Sequence, residues 1–332
     1  MTSENKMKVY LSSSPHFTLG KSTQGIMGCV LISLLPECIY GVLIFGLSAL
    51  ITILVSVASC VFFEFLFQKI THQKIVVSNL SACVSGVMLA LVLPSTTPVW
   101  MTILGAAVAM IVAKGLFGGI GSNVFNPALT GRAFLFISFP SALGATWASP
   151  GTDAISSATV LSQIKAETFS AENSDYIKFF LGYRSGCIGE TSALLILISF
   201  LFLFVTRIID WRAPLSMVAT LIICTAISGG DVLLSLLTGG ILFGATFMVT
   251  DYATAPITRT GRLIFGFGCG LITFLVRKFG GYPEGVMFSI LIMNSVAPFL
   301  NNFTARMYGH GKKVQRQIEK SKNSAEKPEE KK

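Results

Sequence analysis

Charged residues are scarce in this sequence. Asp, Glu, Lys and Arg make up 12% of its 332 residues, about half the roughly 25% usual in a soluble domain. Histidine is scarcer still, and His16, His72 and His310 lie too far apart to form a cluster. The seven cysteines (Cys29, Cys38, Cys60, Cys83, Cys187, Cys224, Cys269) include no C-x-x-C pair and no metal-ligand spacing. Most of them sit in apolar runs, where a free cysteine behaves as a small hydrophobe. These absences argue against an iron–sulfur cluster or a disulfide held by this chain alone. Strand alternation broken by regular turn signals is also missing, which argues against a membrane barrel.

Hydrophobic residues are abundant, at 52% of the chain. They cluster into runs long enough to cross a hydrocarbon core of about 30 Å, which takes roughly 20 residues as helix. In lipid the backbone must bond to itself, so the runs predict α-helices. Length and punctuation give about ten segments. The first five are Thr23–Phe45, Leu47–Phe67, Ile75–Leu93, Pro98–Leu116 and the short Asn126–Pro140. The others are Cys187–Val205, Pro214–Ser228, Val232–Thr250, Leu263–Val276 and Val286–Leu300. The expected fold is an all-α polytopic membrane protein with membrane halves at 23–140 and 187–304. An N-terminal segment (1–22), a central polar loop (141–186) and a basic tail (305–332) complete the plan, and no cleavable signal peptide is expected.

The formal charge of +9 sits largely in the tail and in short connections, so it does not describe a nucleic-acid surface. Lys69, Lys74, Lys114, Arg207, Arg212, Arg259 and Arg262 fall on one set of connections, and those near Phe45, Pro94 and Gly229 carry no basic residue. The positive-inside rule then puts both termini in the cytoplasm and the central loop outside, with Arg277 and Lys278 as the exception. Two echoes hint that the halves are inverted copies. Phe117-Gly118-Gly119 before Val124-Phe125 matches Phe279-Gly280-Gly281 before Val286-Met287, and Ser85-Gly86 before Pro98 matches Gly244-Ala245 before Pro256. Inverted repeats of this kind place ligands around broken helices.

The most specific local pattern lies in the central loop: Asp153-Ala154-Ile155-Ser156-Ser157-Ala158-Thr159. It resembles the D-x-x-S-G-A-T signature of proteins that carry flavin mononucleotide as a phosphoester on the final threonine, with Ser157 in place of the glycine. Such a linkage calls for a reachable hydroxyl in a flexible segment among small neighbours. Other stretches extend the likeness: Ser14-Pro15-His16, the run from Asn123 through Asn126-Pro127 to Arg132 and Phe134, Gly189-Glu190-Thr191, Thr250-Asp251 and Gly280 to Phe288. Together they resemble the D subunits of Rnf-type ion-translocating electron-transport complexes, which are homologous to the B subunits of sodium-pumping NADH:quinone reductases.

The resemblance implies covalent flavin mononucleotide on Thr159, with Asp153, Ser156, Ser157 and Ala158 forming the attachment signature. It also implies a second, noncovalent flavin, expected to be riboflavin, near Asn123 and Asn126. The chain would carry electrons in a bacterial inner (cytoplasmic) membrane, coupled to export of sodium ions or protons. Its implied partners are the other Rnf subunits, especially the extracytoplasmic flavin subunit and the iron–sulfur membrane subunits. Independently of any family, Asn126-Pro127 starts a short helix with unpartnered amides. Arg132 lies about two turns into it and is costly in lipid, so it calls for an ion pair, a watery crevice or a flavin contact. Glu37, Glu64, Glu190, Asp251 and Glu284 are the ion-pathway candidates. Glu64, Asp251 and Glu284 lie close enough to segment ends to snorkel. The rival reading is a small-solute channel or secondary transporter of inverted-repeat fold, and a structural membrane anchor is a third.

Overall fold

A backbone in hydrocarbon has only itself to bond to, and this chain responds with helix along most of its length. The computed structural model describes residues 22–144, 147–148, 155–156, 159–166, 173–281 and 284–307, with backbone alone at 155–156, 173 and 305–307. The Ser22 hydroxyl opens α1 (Thr23–Phe45) by accepting from the Gly25 N–H at 3.1 Å. Gly46 (φ 71°) alone separates α1 from α2 (Leu47–Ile70). A 3₁₀ turn at Val77–Asn79 and a left-handed Leu80 (φ 63°) precede α3 (Ser81–Leu91). Helix α4 (Val99–Ala107) runs unbroken into a π-helical stretch at Val108–Gly115, and α5 (Pro127–Ser138) and α6 (Pro140–Gly144) follow.

Beyond the central stretch a 3₁₀ turn at Ile188–Glu190 leads into α9 (Ala193–Val205), with α7 (Val160–Lys165) and α8 (Asn173–Leu181) before it. Then come α10 (Arg212–Ile227), α11 (Val232–Leu237) and α12 (Ile241–Phe243), which continues as a π-helical stretch at Gly244–Met248. Helices α13 (Arg259–Phe279) and α14 (Val286–Met307) close the described chain. Among the described residues, four helices are long and apolar enough to cross a membrane: α1, α2, α13 and α14 over Val286–Thr304. Shorter apolar helices (α3, α4 with its π-helical extension, α9 and α10) stand beside them, so the protein is a polytopic helical membrane protein.

Helix α1 shows how lipid reverses the usual pattern. It buries Ser33, Glu37 and Gly41 at i, i+4 spacing, while Ile32, Leu35, Ile39 and Leu43 are each more than half exposed. Exposed apolar surface of that kind faces lipid, and small or polar residues face neighbouring helices. The tightest seam is α10 on α13. A Cβ at Gly266 would collide with the Ala213 carbonyl oxygen, and one at Gly270 would lie 2.5 Å from that of Met217. In the first half α2 packs on α3 and α4, and α5 meets α14 across the halves. One apolar core holding Leu89, Leu135, Phe243 and Phe265 spans both.

The structure departs from the sequence expectation in three ways. Ile75–Leu93 and Val232–Thr250 are broken helices, interrupted at Leu80 and at Gly239 (φ 70°). Such breaks are tolerated at membrane depth only where protein covers them, and the residues flanking these two, Asn79, Ser81 and Thr238, are buried. The fold is not purely α, because Trp147–Ala148 (β1) pairs antiparallel with Ile155–Ser156 (β2). The central polar stretch is also more than a loop, since it contains α6, α7 and α8.

Candidate functional site

Two buried sites are arranged along α5. At its start the Asn126 side chain accepts from the Leu129 N–H (3.3 Å), with Pro127 at the first helical position. The Asn126 amide also donates to the Asp251 carboxylate at 3.5 Å. Asp251 in turn accepts from the Ala253 N–H (3.3 Å) and the Thr254 hydroxyl (3.2 Å). Asn123 donates to the Phe125 carbonyl at 3.2 Å. From α14, Asn294 in the amide orientation that satisfies both its atoms accepts from the Asn126 backbone N–H at 3.2 Å. These groups border a cavity of about 200 Å³ whose walls include Met27, Val84, Met88, Phe247 and Lys114. Lys114 is 4% exposed, pairs with Glu64 at 2.7 Å and donates to Ser81 at 2.5 Å.

Arg132 is six residues further along α5, about 9 Å up the axis at 1.5 Å per residue. Its guanidinium bridges two carboxylates from the second half, Glu284 at 2.8 Å and Glu190 at 3.4 Å, and contacts the Cys187 sulfur at 3.3 Å. Arg184 and Arg277 flank this bridge. Arg184 donates through Nη2 to the carbonyls of Glu190 and Gly239, and its Nη1 has no partner. Arg277 donates to the carbonyls of Ser235 (2.7 Å) and Thr238 (3.2 Å). The corner at Gly239–Gly240 makes this packing feasible. A Cβ at Gly239 would lie 2.8 Å from Arg277 Nη2, and one at Gly240 would overlap the Glu190 carboxylate.

Thr159 belongs to this second site. It lines a crevice together with Arg184, Glu190, Gly239 and Glu284. Its Oγ1 caps α7 by accepting from the Ser162 N–H at 3.2 Å, and Thr159 is only 8% exposed. Two contacts seat α7 on the second half: Lys165 donates to the Gly280 carbonyl, and Leu161 packs at Gly239. The expectation of an open, reachable hydroxyl is therefore not met in this packed state, because capping and docking of α7 draw Thr159 inward. Asp153, Ser157 and Ala158 lie outside the described residues, as does Ser14-Pro15-His16, and Ser156 is placed by its backbone alone, in β2.

Asn123, Asn126 and Asp251 meet at the cavity, and Arg132, Glu190, Glu284 and Thr159 meet at the crevice. Glu64 does not snorkel to water, because Lys114 holds it inside. Glu37 stands apart on α1, 2% exposed, with the Ser199 side chain beside it and no ion pair among the described residues. Sequence reasoning missed Arg184, Arg277 and Lys114 as site residues. The signal for Arg277 was present, because a basic residue that breaks the charge rule for topology needs a reason such as a buried partner. Lys114 satisfied that rule and so attracted no notice.

Broken helices, a cavity with a few polar groups at its edge and a buried ionic bridge define a polytopic membrane protein with two candidate interior sites. The family model described as the NQR2, RnfD, RnfE family matches residues 10–309, and the chain belongs to that family. It is 42% identical to the D subunit of the Na(+)-translocating ferredoxin:NAD(+) oxidoreductase complex of Acetobacterium woodii, covering 92% of this chain and 96% of that one. It is 39% identical to the D subunit of the proton-translocating ferredoxin:NAD(+) oxidoreductase complex of Clostridium ljungdahlii, over 89% and 94%. It is 32% identical to the D subunit of the ion-translocating oxidoreductase complex of Escherichia fergusonii, over 91% and 99%.

Proposed function

We propose that this chain is the membrane electron-carrier subunit of an ion-translocating ferredoxin:NAD oxidoreductase complex. Flavin mononucleotide would be joined through its phosphate to Thr159 Oγ1. A second, noncovalent flavin, riboflavin, would occupy the cavity at Asn123, Asn126 and Asp251. The observation that carries this reading is the layout along α5, whose first residues border the cavity while Arg132 anchors the site of Thr159. Bound flavins supply transfer of one or two electrons, and the protein supplies position and electrostatics.

The residues at each end fit their ligands. Amide groups of Asn123 and Asn126 can bond the carbonyl and imide edge of a flavin ring, and the apolar walls suit its faces. The cavity site holds Asp251 and the neutral Lys114–Glu64 pair, a balance that favours an uncharged flavin over one with a phosphate. Because Thr159 is packed inward, the transferase would meet it before α7 seats, or during a local opening of α7.

In this reading both termini face the cytoplasm and Thr159 lies at the outer face, within reach of an extracytoplasmic flavin subunit. Partner subunits supply the iron–sulfur centres and the ferredoxin and NAD sites. The ten-segment, inverted-repeat plan is supported by a reciprocal crossing of the helices that close each half. Arg132 on α5 reaches Glu284 just before α14, and Asn294 on α14 reaches Asn126 just before α5. Relatives at 42% and 39% identity are named for sodium and for protons, so either ion fits the family likeness. Of the five carboxylate candidates, Glu37 is the most buried, with the Ser199 side chain beside it, and it is the one this reading assigns to the ion.

The test is intact mass and peptide mapping of the 141–184 stretch in protein from a host that flavinylates other proteins. The expected result is one added flavin mononucleotide on Thr159. In Thr159→Ala that addition is absent and the extractable flavin remains. An unmodified Thr159 in the wild-type protein would overturn the covalent reading.

A further inference from the structure

The crevice at Thr159 has a charge imbalance that the flavin reading does not by itself explain. Three guanidiniums (Arg132, Arg184, Arg277) face two carboxylates (Glu190, Glu284). One positive charge is left over among the described residues even with both acids ionised. Arg132 takes both carboxylates, so the surplus falls on Arg184 and Arg277, whose hydrogen bonds go to carbonyls or, for Arg277, also to the Ser235 hydroxyl. A carbonyl satisfies a donor but neutralises nothing, and an uncompensated charge away from water is expensive.

Of the two, Arg184 lines the crevice with Thr159. It is 7% exposed, and its Nη1 is buried without a partner. The crevice measures about 10 Å³, room for roughly one water-sized group and comparable to a single phosphoryl oxygen. We propose that Arg184 binds the phosphodiester formed at Thr159, its Nη1 donating to a non-bridging oxygen. This rests on the flavin mononucleotide reading above. A phosphate esterified both to Thr159 and to the flavin's ribityl chain keeps one negative charge, which offsets that minimum surplus. Guanidinium–phosphate pairs of this kind are strong and directional. Arg184 is thus a positioning residue that fixes the flavin's tether against the outer end of the Arg132 bridge.

A mutant cycle on the full-length protein tests this, in a host that flavinylates it and with attachment scored by mass. The readout is the melting temperature in lipid nanodiscs. Arg184→Gln should lower it when flavin is attached. In the flavin-free Thr159→Ala background the same substitution should leave it unchanged or raise it, because it removes a buried charge that then has no counter-ion. An equal loss in both backgrounds would overturn the proposal and leave Arg184 as a bracket for the Glu190 and Gly239 carbonyls. Should Arg184→Gln not fold, solid-state NMR on the wild-type protein decides. Dephasing between labelled arginine guanidinium nitrogen and the flavin phosphorus is expected to disappear in Arg184→Lys, and its absence from the wild type refutes the contact. An unmodified wild-type Thr159 would remove the phosphate itself, and the covalent reading with it.

Discussion

The buried and part-buried charges near the start of α5 are Lys114, Glu64 and Asp251, and those around its middle are Arg132, Arg184, Arg277, Glu190 and Glu284. The first set pairs Lys114 with Glu64 and leaves Asp251 to neutral donors, so the surplus is negative and sits beside a hollow of about 200 Å³. The second set carries a positive surplus and sits beside a hydroxyl in a crevice of about 10 Å³. In a low-dielectric interior a ligand's charge becomes part of the site's own balance. Under the proposed function, the two sites along α5 would select ligands that share a ring system and differ only in a phosphate.

The largest effects should come from breaking the two ion bridges. Arg132→Leu strands two carboxylates, Glu190 buried and Glu284 part-buried, and Lys114→Met strands one, the buried Glu64. Removing one partner of a buried pair costs about 3–5 kcal/mol, so Arg132→Leu should be the worse of the two in thermal melts. The rescues should also differ. Adding Glu64→Gln to Lys114→Met should recover most of the loss, whereas adding Glu284→Gln to Arg132→Leu should recover only part, because Glu190 stays charged and unpaired. Equal rescue at both sites would mean that Arg184 or Arg277 can take over from Arg132, and the contrast between the sites would collapse.

Asn126→Ala probes the cavity more gently. It removes a helix cap, worth about 0.5–2 kcal/mol, together with Asp251's amide partner. The expected outcome is loss of acid-extractable flavin while the flavin fixed to Thr159 persists. Loss of both flavins together would show that the two ends of α5 do not act as separate sites.

Much of this layout was legible in the sequence. The run from Asn126-Pro127 to Arg132 announced a short capped helix with a costly cation on it, and the structure supplies both the cap and the partners. Which partners could not be read, because Glu190 and Glu284 are 58 and 152 residues away. Helix periodicity reports which residues share a face and says nothing about which distant segment covers it. The breaks at Leu80 and Gly239 were hidden for a related reason. Beyond Asn79, Ser81 and Thr238 the runs on either side are apolar, so hydropathy averages straight through a conformation that only tertiary cover makes tolerable. Thr159 was singled out as an exposed attachment point, yet its hydroxyl also suits a helix N-cap, and in the packed state the cap prevails.

A third ionic cluster, at the connection between α9 and α10, offers a control for both buried ones. Asp210 there accepts from the guanidiniums of Arg212 (2.7 Å) and Arg262 (2.8 Å), with side chains 18–28% exposed. Partial burial by itself would raise the Asp210 carboxyl, but the Arg212 N–H and the two guanidiniums outweigh it and hold it below its ordinary value. A depressed carboxylate contributes stability above its unfolded pKa of about 3.9, and that contribution fades as pH falls through the lower, folded value. Water screens this cluster, so the effect should be about 1 kcal/mol or less. Relative to Asp210→Asn, the wild-type protein should hold its small advantage in full by about pH 5 and lose it progressively as pH falls through the lowered folded value, as read from melts across the acid range. Added salt should shrink this advantage while leaving the Arg132 and Lys114 losses nearly untouched, because bulk ions screen exposed pairs far more than buried ones. A salt response of equal size at all three clusters would mean that the two along α5 are open to water, and that neither site needs its ligand's charge to balance its own.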